Sequence, residues 1–134
     1  MTYIKEDKKT SVHFRVKYQW GEAEMRMDRA TRLSSVSMHV EDEFQGKGFS
    51  KQLVRDLCNL VNENNSAPEW VYIDTDASAG FWAYVGFVNN PLERDQTRPE
   101  YGYEKRCSWK VFEAFGMSEK LQTKMGLGSD SISV

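Results

Sequence analysis

Residues 40–53, VEDEFQGKGFSKQL, mark the point where the chain changes its hydrophobic period. Before Val40 the pattern repeats every second residue. In residues 12–20, VHFRVKYQW, Val12, Phe14, Val16, Tyr18 and Trp20 lie on one side, with His13, Arg15, Lys17 and Gln19 on the other. Alternation of β-branched and aromatic residues predicts a half-buried strand. Gly21 interrupts it, and Ala23, Met25 and Met27 then alternate with Glu22, Glu24 and Arg26, which predicts a hairpin. A third run, RLSSVSMHV, puts Val36, Met38 and Val40 on one face. After the turn, Leu53, Val54, Leu57, Cys58, Leu60 and Val61 recur at helical spacing from Ser50 to Asn62. Lys51, Arg55, Asp56 and Asn59 are mostly opposite them.

The remainder is shorter in wavelength. WVYID (70–74) suits a buried strand, and SAGFWAYVGF (78–87) a short helix ending at Gly86. Residues 89–100 are polar loop, and residues 101–112, with no turn former after Gly102, predict one long strand. The end of the chain offers one amphipathic turn, SEKLQTKM, before a polar, glycine- and serine-containing tail whose composition predicts fraying. The order is β-β-β-α-β-α-(β)-β. The expected fold class is therefore α/β of the α+β kind: a mixed, mainly antiparallel sheet with one central β-α-β unit.

Composition sets the outer bounds. A chain of 134 residues suits one domain over 1–134, its core at about 12–112 and a tail at 113–134. Eighteen Lys and Arg against twenty Asp and Glu give a net charge of −2, which offers nucleic acid no basic face. No apolar run approaches the roughly 20 residues that span a bilayer. The polar start, MTYIKEDKKT, lacks a secretory core, so a cytoplasmic location is expected, with no membrane partner. Cys58 and Cys107 form neither a CxxC pair nor a set with histidines at ligand spacing, so no metal site is expected. Cys58 falls on the apolar face of the helix and reads as buried and inert.

Gly46 and Gly48 let the backbone turn tightly between strand and helix and approach a ligand closely. The first N–H groups of a helix lack internal partners and carry partial positive charge, which makes such a turn an anion site suited to phosphate. Lys47 and Lys51 add cations near its rim. A Walker A loop is excluded, since no glycine stands at the required distance before a Gly-Lys. The dinucleotide fingerprint GxGxxG matches at Gly46 and Gly48 but meets Lys51 in place of the third glycine. The plainer alternative is that both glycines serve only the turn.

The neighbourhood adds to this. V-x-x-x-F-Q-G-K-G-F-S followed by an amphipathic helix resembles the acyl-CoA pyrophosphate loop of the GNAT superfamily of N-acetyltransferases, [QR]-x-x-G-x-[GA]. Gln45, Gly48 and Ser50 fall on its marked positions. GFWAYVGF resembles the second hallmark of that family, through Phe81, Trp82, Gly86 and Phe87, and YEKR resembles its last strand. The resemblance covers residues 12–112 and implies a GNAT-like acyl-CoA N-acyltransferase fold, with acetyl-CoA as cosubstrate and a primary amine as acceptor. It implies that main-chain groups of Met38 and Val40 bond the pantetheine arm and that the Val40 N–H polarises the thioester carbonyl. Backbone N–H groups of Gln45, Gly46, Lys47, Gly48, Phe49 and Ser50 would hold the pyrophosphate, and Phe81 and Trp82 would pack near the sulfur.

Three departures from the family pattern bear on function. Trp82 stands where the family often has a tyrosine acid, and indole N–H is no acid at neutral pH. Tyr84 points about 200° round a helix from it, which leaves Ser78, Tyr72 or water. Ser50 replaces the loop's final Gly or Ala. Only eleven residues precede the first recognisable strand, where the family has a strand and two helices. The acceptor side should therefore be open, which favours a macromolecular acceptor such as a protein lysine, or a pocket completed by a second subunit. Exposed aromatics on so short a chain leave a homodimer open. For proton removal the candidates are His39, Asp74, Asp76, Glu22 and Glu24, or a water relay. The alternative function is a non-catalytic CoA-binding or protein-interaction module on the same fold.

Overall fold

The computed structural model describes residues 1–73, 79–91 and 103–118. Four strands open the chain: β1 (Thr2–Asp7), β2 (Ser11–Tyr18), β3 (Gly21–Asp28) and β4 (Ser34–Val40). A 3-10 turn at Asp42–Phe44 leads to α1 (Phe49–Glu63), then β5 (Trp70–Ile73), α2 (Ala79–Val85), β6 (Val88–Asn89), β7 (Lys105–Ser108) and α3 (Trp109–Met117). The strands form one seven-stranded sheet in the order β1-β2-β3-β4-β5-β7-β6. Neighbours are antiparallel except β4 and β5, the parallel pair on either side of α1. This is the mixed sheet with one β-α-β unit that the change of period predicts.

The alternating residues of the first hairpin make the core. Val12, Phe14 and Val16 of β2 and Ala23, Met25 and Met27 of β3 are buried with Leu53, Val54, Leu57, Cys58 and Val61 of α1. Burying each large side chain contributes about 1.5–3 kcal/mol. Tyr18 faces Gly21 across a two-residue turn, and Gly21 lies so close to β4 that a Cβ there would sit 2.7 Å from the His39 carbonyl oxygen. Glycine thus closes the hairpin and admits the third strand.

Several expectations need correction. β1 lies within the eleven residues read as preceding any strand, and Lys8–Thr10 join it directly to β2 with no helix between. It escaped notice because all six of its residues are exposed and show no apolar alternation. The long strand expected over 101–112 ends at Ser108, where α3 starts. The Ser108 hydroxyl accepts from the Val111 N–H as an N-cap, and Trp109, Phe112 and Gly116 then recur on a buried helical face. Lys51 is buried at 3% exposure, so it does not stand at the rim of the glycine turn. Asp56, expected on the polar side of the helix, is buried as well and accepts hydrogen bonds from Tyr18 and Gln52.

The expected tail begins too early, since α3 carries the chain to Met117; Asp74, Asp76, Ser78, most of the loop over 89–100 and residues 119–134 lie outside the described residues. Among the described residues no helix is long and apolar enough to cross a membrane.

Candidate functional site

Among the described residues β4 and β5 pair through two residue couples, Ser34 with Val71 and Ser35 with Tyr72. Beyond Ser35, among the described residues, β4 is paired only with β3 as far as Val40, and a cleft lies beside its end. The ladder with β3 decides which backbone groups face it. Glu41 N–H donates to the Trp20 carbonyl at 2.8 Å, so the odd-numbered residues of β4 direct their N–H and C=O to β3. Met38 and Val40 therefore turn theirs away from β3. The Val40 carbonyl is held there by the side-chain amide of Gln45 at 2.9 Å.

This cleft of about 330 Å³ is lined by Met38, Val40, Gln45, Gly46, Ser50, Phe81 and Trp82. Strand end, glycine turn, first turn of α1 and the aromatic pair of α2 all contribute. Gly46 (φ 76°) and Gly48 (φ 84°) take the left-handed conformation that disfavours any side chain, and Gly48 is the N-cap of α1. No side chain caps that helix end, so its first N–H groups are left for water or a ligand. A Cβ built on Gly46 meets nothing within 4 Å. Glu41, Asp42 and Glu43 precede the turn, so an anion would be held there by oriented backbone donors rather than by net positive charge.

The other residues of the turn do not line the cleft. Lys47 is exposed, and Phe49 turns away to pack on Trp20, with ring centroids 4.7 Å apart. Trp20 in turn stacks on Tyr18 at 4.6 Å, and Phe44 closes on Phe49 at 5.7 Å. This four-ring stack braces the glycine turn against the first hairpin. Sequence reading took Tyr18 and Trp20 only as core-facing residues; the pairing of Gly21 with Val40 brings the hairpin tip beside the turn.

Phe81 is half-buried and Trp82 is 3% exposed, its ring edge-on to Phe87 at 5.1 Å. Tyr84 is 63% exposed and packs on Phe115, away from the cleft. Tyr72 is buried beside Tyr103 and does not line the cleft either. His39 is exposed on the opposite face of the sheet, where its Nε2 lies 2.8 Å from Glu41 Oε2. There it borders a second, smaller cavity of about 180 Å³ with Glu22, Glu24, Ser37 and Met38. Glu24 is held by Arg15 Nη2 at 3.2 Å and His13 Nδ1 at 3.4 Å. Met38 borders both cavities, so one strand's thickness separates them.

Two thiols take no part. Burial raises the pKa of Cys58 far above the ordinary thiol range, and burial pushes Cys107 up to about 11. Among the described residues no three His, Cys, Asp or Glu side chains are grouped to hold a metal ion.

The fold of this chain has counterparts among solved structures. This chain superposes on a chimeric spermidine N-acetyltransferase from Vibrio cholerae and hSSAT with a TM-score of 0.51 at 15% identity, covering 78% of this chain and 70% of that one. It matches a GNAT-family acetyltransferase from Streptococcus pneumoniae with a TM-score of 0.50 at 12% identity, covering 75% and 68%. The fold is GNAT-like. No protein-family model and no curated protein matches the sequence. The likeness thus lies in the path of the chain, and the cleft lies beside the end of β4, next to the glycine turn.

Proposed function

We propose that this chain is a GNAT-type N-acetyltransferase, a single cytoplasmic domain that moves acetyl from acetyl-CoA to a primary amine on a macromolecular partner. The observation that carries the reading is a cleft bordered by Met38 and Val40, at the end of β4, beside a turn with two left-handed glycines at the opening of α1. The residues present fit the cosubstrate: backbone donors at the opening of α1 for its pyrophosphate, free strand edge for its amide-bearing arm, and Phe81 and Trp82 for its apolar end. When bound, acetyl-CoA supplies an activated thioester.

The chain's own contribution is position and polarisation. Val40 N–H is fixed by the β3 ladder and the Gln45 bond, so it can stabilise an oxyanion without reorganising. Holding amine and thioester in register supplies much of the remaining rate. A primary amine, with a pKa of about 10.4 in water, must lose a proton first. Glu22, Glu24 and His39 border the cavity on the other side of β4, within reach of an amine entering from that face. No helix separates β1 from β2, so nothing from that connection closes over the acceptor, which favours a large partner. Incubation with acetyl-CoA and lysine-bearing peptides or small amines, followed as thiol release, tests the activity; turnover with peptides above that with free amines is expected.

A second reading rests on Trp82, buried where a tyrosine acid is common, with Tyr84 and Tyr72 both directed elsewhere. It makes the chain a CoA-binding module without catalysis. Tight acetyl-CoA binding with no thiol release from any amine selects that reading.

A further inference from the structure

β1 stands at the end of the sheet with β2 as its neighbour, and among the described residues nothing pairs with its outer edge. Lys8 N–H donates to the Ser11 carbonyl at 2.9 Å, in register with a ladder running from Thr2 opposite Lys17 to Asp7 opposite Val12. Successive residues of a strand turn their N–H and C=O to opposite sides. Thr2, Ile4 and Glu6 thus bond β2, while Tyr3, Lys5 and Asp7 direct their backbone groups outward. Edges of this kind are commonly blunted by charged side chains, lysine above all, by proline or by a bulge. β1 has no proline and no break in register, and it exposes Tyr3 at 51% and Ile4 at 37%. Its lysine is engaged along the strand, with Lys5 Nζ 3.5 Å from Asp7.

The strand is complementary to itself in one register. A two-fold axis through the edge, perpendicular to the sheet, places residues of the same face opposite each other. With the axis at Ile4, Tyr3 faces the partner's Lys5 and Thr2 faces the partner's Glu6. Tyr3 and Lys5 are residues whose backbone groups point outward, so each such pair exchanges two hydrogen bonds. Ile4 then meets the partner's Ile4 as a close, non-bonded pair with Cα atoms about 4.5 Å apart. Each tyrosine ring lies beside an ammonium, a favourable contact. Moving the axis to Lys5 or Glu6 sets like charges directly opposite, which destabilises. Moving it to Tyr3 shortens the ladder.

We propose that two copies of this chain pair antiparallel through β1, Ile4 against the partner's Ile4, making one continuous sheet. The proposal is independent of the acetyltransferase reading, since the cleft beside the end of β4 lies three strands from this edge. Sedimentation of the 134-residue chain over a range of concentrations should show twice the monomer mass at the upper end. Ile4→Cys under mild oxidation should give a covalent dimer, because the paired Cα atoms fall within disulfide reach. Glu6→Cys, facing the partner's Thr2, should not link. The native Cys58 and Cys107 are buried and do not compete. Lys5→Pro removes only an outward N–H, keeps the ladder with β2, and should sediment as a folded monomer. A parent chain that stays monomeric at every concentration, a Lys5→Pro variant that still dimerises, or a covalent dimer from Glu6→Cys but none from Ile4→Cys would each overturn the proposal.

Discussion

Gly48 caps α1 with φ 84°, in the region where only Gly, Asn and Asp are readily accommodated, and it opens the helix end beside the cleft. This allows a clean perturbation. Of the residues with side chains, Asn and Asp best tolerate the left-handed conformation, so Gly48→Asn and Gly48→Asp strain the turn about equally. They differ by one negative charge. Placed about 5 Å from a bound phosphate, that charge is repelled by about 0.8 kcal/mol in water and about 3 kcal/mol at an effective dielectric constant of 20. The partly open cleft lies between these limits, so a loss of about 1–3 kcal/mol is expected per phosphate charge. That corresponds to about 5- to 150-fold in Kd. Calorimetric titration of acetyl-CoA into both variants measures it. Melting in the absence of ligand checks that the two remain equally folded. The Asn variant should bind within a few-fold of the parent and the Asp variant far more weakly. Equal affinity for Asn and Asp would refute the anion site at the glycine turn.

Other outcomes follow from packing and charge. Phe112 is fully buried between Phe87 and Trp109, so Phe112→Ala should cost about 3–5 kcal/mol in denaturant unfolding; a cost near zero would contradict the packing of α3. Burial first, and then the hydrogen bond to Asp56, raise the Tyr18 phenol from 10.0 to about 12. Its contribution is complete below pH 10 and is lost as pH rises through 12, so stability should fall across that window and the fall should be weaker in Tyr18→Phe. The same variant leaves buried Asp56 without one donor and should lose about 1–3 kcal/mol at neutral pH, read from the denaturant midpoint. Cys58 and Cys107 should resist a thiol reagent at neutral pH until the chain unfolds, whereas rapid labelling of the native protein would contradict their burial.

The parts of this structure that could be read from sequence are those in which one element carries its own signal. VHFRVKYQW declares a strand because its apolar face is buried by α1 and its other face is mostly left to solvent. His13 is the exception, buried with its ring nitrogens near Glu24 and Ser11, because neighbouring strands supply partners that alternation alone does not reveal. β1 is silent in the sequence for the opposite reason: an edge strand exposed on both faces needs no apolar residues. Residues 101–112 misled because Trp109, Val111 and Phe112 all favour strands, and only the Ser108 cap and the later spacing to Gly116 turn them into a helix. At the candidate site, the glycines are legible because a left-handed turn nearly demands them. The separation of the end of β4 from the strand at 70–74 carries no local signal and is only what the family resemblance implies. Nor does the brace of Tyr18, Trp20, Phe49 and Phe44 carry one, since only the register of β3 on β4 brings those rings together.

The central claim, that the cleft beside the end of β4 and the glycine turn binds acetyl-CoA, is tested most directly by thermal unfolding with and without the ligand. At about a hundred times the dissociation constant, binding should add about 2.7 kcal/mol to the stability of the native state. For a domain of this size that corresponds to a rise of about 10 °C in melting temperature. A melting curve that acetyl-CoA leaves unmoved at any concentration would contradict the account and return Gly46 and Gly48 to the making of a turn.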